Sequence, residues 1–182
     1  MSYCTAIPNI MPDEKRNLHQ HYHDNLYGFP IHDDNELFGR LILEINQAGL
    51  SWETILKKEP TFRLAYDNFD IQKVANYDEA QRERLMNDPG IIRNKLKINA
   101  AIENAKTILG LQKEFGSFEK WLEQNHPLSK AEWVKLFKKT FKFTGGEIVG
   151  EFLMSIGYLE GAHDKDCPIQ KKIEKAHPMW MK

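Results

Sequence analysis

The sequence predicts an all-α protein, and three observations carry that prediction. Apolar residues recur at helical spacing over 34–48, 94–112 and 148–158. Capping and breaking residues bracket those runs, and no stretch of useful length alternates polar and apolar as a strand would.

The first helix is predicted over 34–48, with Gly49 just past its end. Leu37, Leu41, Glu44 and Ala48 share one face, which Phe38, Ile42 and Ile45 widen into a core-facing surface. Glu44 therefore points into the core or to its edge, a carboxylate where a hydrophobic side chain is expected. Ser51 suits the N-cap of a short helix through Lys58, with Pro60 just beyond it. Two short amphipathic helices are predicted over 70–77 and 78–87. Asp88-Pro89-Gly90 breaks the chain, and a long helix over 94–112 follows. Further helices are predicted over 116–124, 129–141 and, after Gly145-Gly146, over 148–158. The charged tail after Cys167 reads as one helix ending before Pro178. The expectation is a single compact domain, 1–182, of two helical lobes, with 168–182 as a tail.

With 41% hydrophobic and 28% charged residues, the chain is that of an ordinary soluble globular protein. A net charge of −1 gives no global signal for nucleic acid, so such binding would need a local patch. Neither a membrane-spanning run nor an apolar leader segment is expected. Two cysteines are too few for a disulfide scaffold, which points to a reducing, cytoplasmic compartment.

Cys4 and His23 stand near one end, His163 and Cys167 near the other. If helical, His163 and Cys167 are an i, i+4 pair that could face one ion, and two thiolates with two imidazoles complete a tetrahedral set. Free thiols with surface histidines, a Cys4–Cys167 disulfide, or ligation by His19 or His21 remain open on spacing alone.

YHDN at 22–25, LFGRLILE at 37–44, QAGLSW at 47–52 and ILKK at 55–58 resemble the DNA-3-methyladenine glycosylase I family. FRLAYDNFD at 62–70, GIIRNKLKI at 90–98, FKFTG at 141–145 and the closing His163-x3-Cys167 continue the match in the family's order. The resemblance covers roughly 4–167 and marks the chain as a divergent member. It implies a helix-hairpin-helix DNA glycosylase bundle in which a structural zinc, held by Cys4, His23, His163 and Cys167, joins the two ends of the chain.

The resemblance further implies a monofunctional hydrolase that flips N3-methyladenine out of alkylated double-stranded DNA and cleaves its glycosidic bond. Water attacks the sugar carbon, and neither an organic cofactor nor an obligate protein partner is implied. Glu44 would accept from the base and favour a cationic ring, with Trp52, Tyr22 and Tyr27 lining the pocket. On the residues alone, Glu44 could equally be a bonded buried carboxylate and Tyr22 a core residue with a capping hydroxyl, and Trp52 reads first as a core aromatic at a helix start. Leu50 would be the wedge that fills the gap left by the flipped base, or else would simply pack under the turn. Gly90, Arg93, Lys95 and Lys97 would form a phosphate-binding hairpin and helix start, or else an ordinary solvated basic turn.

The chain departs from the family's pattern in several places. Ala6 replaces an aromatic, Leu26-Tyr27-Gly28 replaces Glu-Trp-Gly, and Gly146 and Glu147 replace small hydroxyl residues. Gly150 replaces a tyrosine. Ala6 and Gly150 are expected to open the pocket, and Glu147 to bring a negative charge near a phosphate. The alternative reading is a family member with altered or absent excision that binds DNA or modified bases on the same scaffold.

Overall fold

The computed structural model describes residues 2–182 and, among them, eleven α-helices and no strand. In order these are α1 (Tyr3–Ala6), α2 (Asp13–Asn25), α3 (Asp34–Gln47), α4 (Trp52–Ala65), α5 (Ile71–Ala75) and α6 (Glu79–Asn87). They continue with α7 (Lys95–Phe115), α8 (Phe118–Asn125), α9 (Lys130–Thr140), α10 (Gly146–Ser155) and α11 (Gln170–Lys175).

Helix α3 runs through the centre. Its residues from Leu37 to Asn46 are all buried, and α4, α7, α8 and α10 pack around it. Asp33 caps its start by accepting from the Glu36 N–H at 3.0 Å. Gly49 follows its end at φ +80, a conformation that suits glycine and turns the chain toward α4. Gly39 serves a different purpose: a Cβ there would lie 2.3 Å from the Phe69 ring, which rests directly on the helix backbone.

The helix predicted to stop at Lys58 continues through Pro60 to Ala65. Interior proline costs about 3 kcal/mol. Burial of Phe62 and Ala65 beyond it, and the bidentate pairing of Arg63 with Glu36 at 2.7 and 3.0 Å, hold the last turns in place. Helix α2 was not evident in the sequence, because it offers almost no apolar stripe. It begins after Pro12 with Asp13 and Glu14 in the first turn, where acids suit the helix dipole, and it packs against α4.

The buried apolar side chains form one main cluster, with small satellites around Tyr22, Tyr27 and Leu56 and around Cys167, Ile169 and Ile173. The two ends of the chain meet beside the first satellite: Ser2 donates to the Asp164 carboxylate, and the Gly28 N–H donates to Ser155 O at 2.9 Å. Among the described residues, no helix is long and apolar enough to cross a membrane.

Candidate active site

Where α3 meets the ends of α2 and α10, a half-open cavity of about 600 Å³ reaches from the surface to Glu44. Glu44 is 3% exposed, and neither carboxylate oxygen has a hydrogen-bond partner among the described residues. Burial pushes its pKa up to about 8; the guanidinium of Arg40, one turn earlier, opposes that rise and Glu151 adds to it. Helical periodicity therefore read the direction of Glu44 correctly, and the structure adds that no lysine or backbone amide neutralises it.

Aromatic rings form the walls. Tyr22 lies 5.1 Å from Trp52, tilted by 59°, and 5.5 Å from Tyr27, tilted by 31°. The Tyr27 hydroxyl donates to Glu151 Oε2 at 3.2 Å. The Tyr22 hydroxyl has no protein partner among the described residues, and burial raises its pKa, so it remains a neutral donor. Arg40 backs the Tyr22 ring at 5.3 Å and donates to Ser155 O at 3.2 Å.

Two departures behave differently from expectation. Ala6 does not line the cavity; Tyr3, on the same short helix, does, with its ring 5.8 Å from Tyr27 at 89°. Its hydroxyl is held by His19 Nδ1 at 2.8 Å, so an aromatic wall is restored from a neighbouring position. Gly150 leaves no opening either. A Cβ there would lie 2.6 Å from Lys130 Cε, so the lysine stem occupies the space. Lys130 Nζ also lies 3.7 Å from Glu147, which is exposed at the cavity's edge.

Behind this cavity Cys4, His23, His163 and Cys167 converge, with all four ligand atoms within 4.8 Å of one another. The sulfur–nitrogen separations are 3.3 Å for Cys4–His23 and 3.6 Å for Cys4–His163. Cys167 lies 3.8 Å from His23 and 3.6 Å from His163. Typical metal–thiolate and metal–imidazole bonds of about 2.3 and 2.0 Å set tetrahedral edges of about 3.6 Å, so the four residues fit a metal ion. The outer contacts also fit. His23 Nδ1 meets Asp24 Oδ1 at 2.6 Å and His163 Nε2 meets Tyr27 O at 2.9 Å, which leaves the other ring nitrogens directed at the centre. His163 and Cys167 are not a helical pair; a turn closed by Cys167 N–H donating to Asp164 O at 2.9 Å brings them together. His19 and His21 lie outside the cluster.

Helices α6 and α7 are joined by a tight hairpin over 88–94. Its Gly90 N–H donates to Asp88 Oδ1 at 2.7 Å, and Asn94 Oδ1 accepts from Leu96 and Lys97 N–H at 3.0 and 3.2 Å. Arg93 and Lys95 are exposed beside it. Lys97 is not. It is 4% exposed, and its ammonium donates to Asn46 O at 2.9 Å and Ala48 O at 2.7 Å, closing the C-terminal end of α3. The expected phosphate footprint of Lys97 is thus corrected: its side chain lies against the end of a helix whose carbonyls need a donor. Sequence reasoning also missed Lys58 and Thr61, which donate to the hairpin carbonyls of Pro89 and Gly90 at 2.8 and 2.6 Å. Leu50 stands 39% exposed on the tip between α3 and α4.

A desolvated carboxylate thus faces an aromatic-walled cavity in a helical bundle, an arrangement with the chemistry to receive a flat ring that carries donors or positive charge. Residues 13–132 match the family model described as methyladenine glycosylase. A DNA-3-methyladenine glycosylase 1 of Escherichia coli K12 is 38% identical, with 75% of this chain and 83% of that protein covered. A DNA-3-methyladenine glycosylase of Haemophilus influenzae is 33% identical, with 85% of this chain and 93% of that protein covered. The solved 3-methyladenine DNA glycosylase I of Staphylococcus aureus, described for its 3-methyladenine recognition, superposes with a TM-score of 0.75 at 33% identity. That superposition covers 84% of this chain and 90% of the other. The chain belongs to the methyladenine glycosylase family.

Proposed function

We propose that this protein is a monofunctional DNA glycosylase that releases N3-methyladenine from alkylated double-stranded DNA. One observation carries the reading: the Glu44 carboxylate is buried, unpartnered and directed into an aromatic cavity. The relatives' shared name supports it.

The flipped base enters between Tyr22, Trp52 and Tyr27, whose π-faces suit a cationic ring. Glu44 accepts from the exocyclic amine, and its charge is favoured only while the base is positive. Adenine without the methyl group is neutral and leaves a buried carboxylate uncompensated, so the pocket discriminates by charge. Hydrolysis breaks the C1′–N9 bond. The electron pair goes to the base and cancels its charge; water bonds to C1′ and gives up a proton.

In the same reading α6, the 88–94 hairpin and α7 act as a helix-hairpin-helix phosphate clamp, with Gly90 at the turn and Arg93 and Lys95 as its cations. The free position of Leu50 suits a wedge. The metal is zinc, held by Cys4, His23, His163 and Cys167; with four protein ligands it is structural and supplies no step of the reaction. The chain works as one domain, in the cytoplasm, where DNA is accessible and thiols remain reduced.

The test is release of N3-methyladenine from methylated duplex DNA by wild type and by Glu44→Ala. Folded, metal-loaded wild type that releases none would leave base or DNA binding without excision as the function.

A further inference from the structure

Among the described residues Glu44 is the one buried carboxylate and Arg40 the one buried guanidinium, 3% and 8% exposed. They stand one turn apart on α3, a spacing at which opposite charges commonly meet. These two form neither an ion pair nor a hydrogen bond with each other, because Arg40 is held elsewhere. Its Nη1 donates at 3.2 Å to the carbonyl of Ser155, the last residue of α10, and its Cζ lies 5.3 Å from the centre of the Tyr22 ring. A helix C-terminus carries open carbonyls and partial negative charge, so it competes well for a guanidinium. The result is a separated pair, in which charge is compensated without contact.

No other cation takes this place. Among the described residues that line the cavity none is basic, while Glu147 and Glu151 face it from α10, Asp164 from the turn after His163, and Tyr3, Tyr22 and Tyr27 as neutral phenols. Against the rest of α3, Lys97 of α7 is bonded to the Asn46 and Ala48 carbonyls, Arg63 of α4 pairs with Glu36 and Glu59, and Glu119 of α8 pairs with His32. Separation matters for chemistry. A contact pair would occupy the oxygens that a base needs, whereas a carboxylate buried with no cation nearby stays protonated and offers a donor.

We propose that Arg40 is a positioning residue for base excision: docked on Ser155, it supplies the counter-charge that lets Glu44 ionise for a cationic base while leaving both carboxylate oxygens free. Burial opposes that ionisation, Arg40 favours it, and the Glu151 charge opposes it further. This inference rests on the glycosylase reading above.

The experiment follows N3-methyladenine release from methylated duplex DNA between about pH 6 and 9, by wild type, Arg40→Met and Arg40→Lys. Arg40→Met keeps an apolar stem and removes the charge. Its acid limb is expected about one pH unit above that of wild type, so release at neutral pH falls about tenfold and the gap narrows as pH rises. Arg40→Lys is expected to bring the limb back toward wild type. In a Glu44→Gln background, Arg40→Met should have no pH-dependent effect. The position of the limb does not depend on the fraction of protein folded. A loss equal at every pH, a shift that Arg40→Lys does not reverse, or one that persists with Glu44→Gln overturns the role of Arg40 and leaves the glycosylase reading intact. Wild type that releases no base at any pH overturns both.

Discussion

His163 meets the Tyr27 carbonyl oxygen through Nε2 at 2.9 Å, while its Nδ1 faces the two cysteine sulfurs at 3.6 Å. One imidazole thus ties the Cys–His cluster to the backbone of Tyr27, whose side chain lines the cavity. His23, next to Tyr22 in sequence, joins the two sites a second time. A metal bound by the cluster would close a loop of most of the protein, where closure entropy in the unfolded state is large.

Metal loss should therefore act on base binding as well as on stability. Cys167→Ala is expected to lose its metal and melt roughly 10 °C lower, corresponding to about 3 kcal/mol for a chain of this size. Its affinity for free 3-methyladenine should fall at temperatures where it is still folded. Metal analysis, calorimetry and tryptophan fluorescence check the three parts; unchanged metal content would refute the ligand assignment.

The pH dependence follows from Glu44. Its folded pKa is about 8, against about 4.3 for an unfolded glutamate, so the native state binds a proton that the unfolded chain releases. The stability associated with that proton is complete below the unfolded pKa and is lost as pH rises through about 8. Glu44→Gln lacks this slope and should gain on wild type between pH 4 and 9, by about 1.4 kcal/mol for each unit of realised shift. Activity runs the other way. Because a cationic base needs the carboxylate, wild-type kcat/KM should rise toward pH 8, and Glu44→Gln should be low at every pH.

Lys97 and its exposed neighbours separate stability from DNA affinity. Lys97→Met leaves the Asn46 and Ala48 carbonyls without their donor and should cost about 1–3 kcal/mol. Arg93→Ala and Lys95→Ala should leave the melting temperature within a degree or two. Each is expected to reduce the slope of log affinity for DNA against log salt by about 1. Titrations at several salt concentrations distinguish the two behaviours.

Residues whose direction is set by their own helix were legible in the sequence. Glu44 is the clearest, because the apolar period around it leaves only one face. The Cys4–His23–His163–Cys167 cluster was legible for another reason: counting left the choice among the histidines open, and the resemblance to the family's order picked out two of them. Tyr3 and Glu151 were not, because only the tertiary fold brings α1 and α10 beside α3. Lys97 misled for the same reason: a basic residue at a helix start reads as exposed until the end of α3 is found lying against it. Helix α2 was hidden by its polarity, being held by contacts of His19, Tyr22 and His23 rather than by an apolar stripe of its own. At α4, the stop signal of Pro60 was outweighed by buried residues beyond it.

Leu50 tests the step before chemistry. It stands exposed at the tip between α3 and α4, where it packs little, so Leu50→Ala should change stability by no more than about 0.5 kcal/mol. Free 3-methyladenine should bind the variant as it binds wild type, because the residue does not line the cavity. Excision from duplex DNA should nonetheless fall about tenfold. An apolar side chain that fills the vacated stack offsets part of the few kcal/mol of unstacking, and losing about 1.4 kcal/mol of that gives the factor. A lesion opposite a mismatch is already partly unstacked, so there the deficit should shrink. Excision kinetics on paired and mismatched lesions check this, and equal deficits on both substrates would assign Leu50 to the surface of the fold rather than to base flipping.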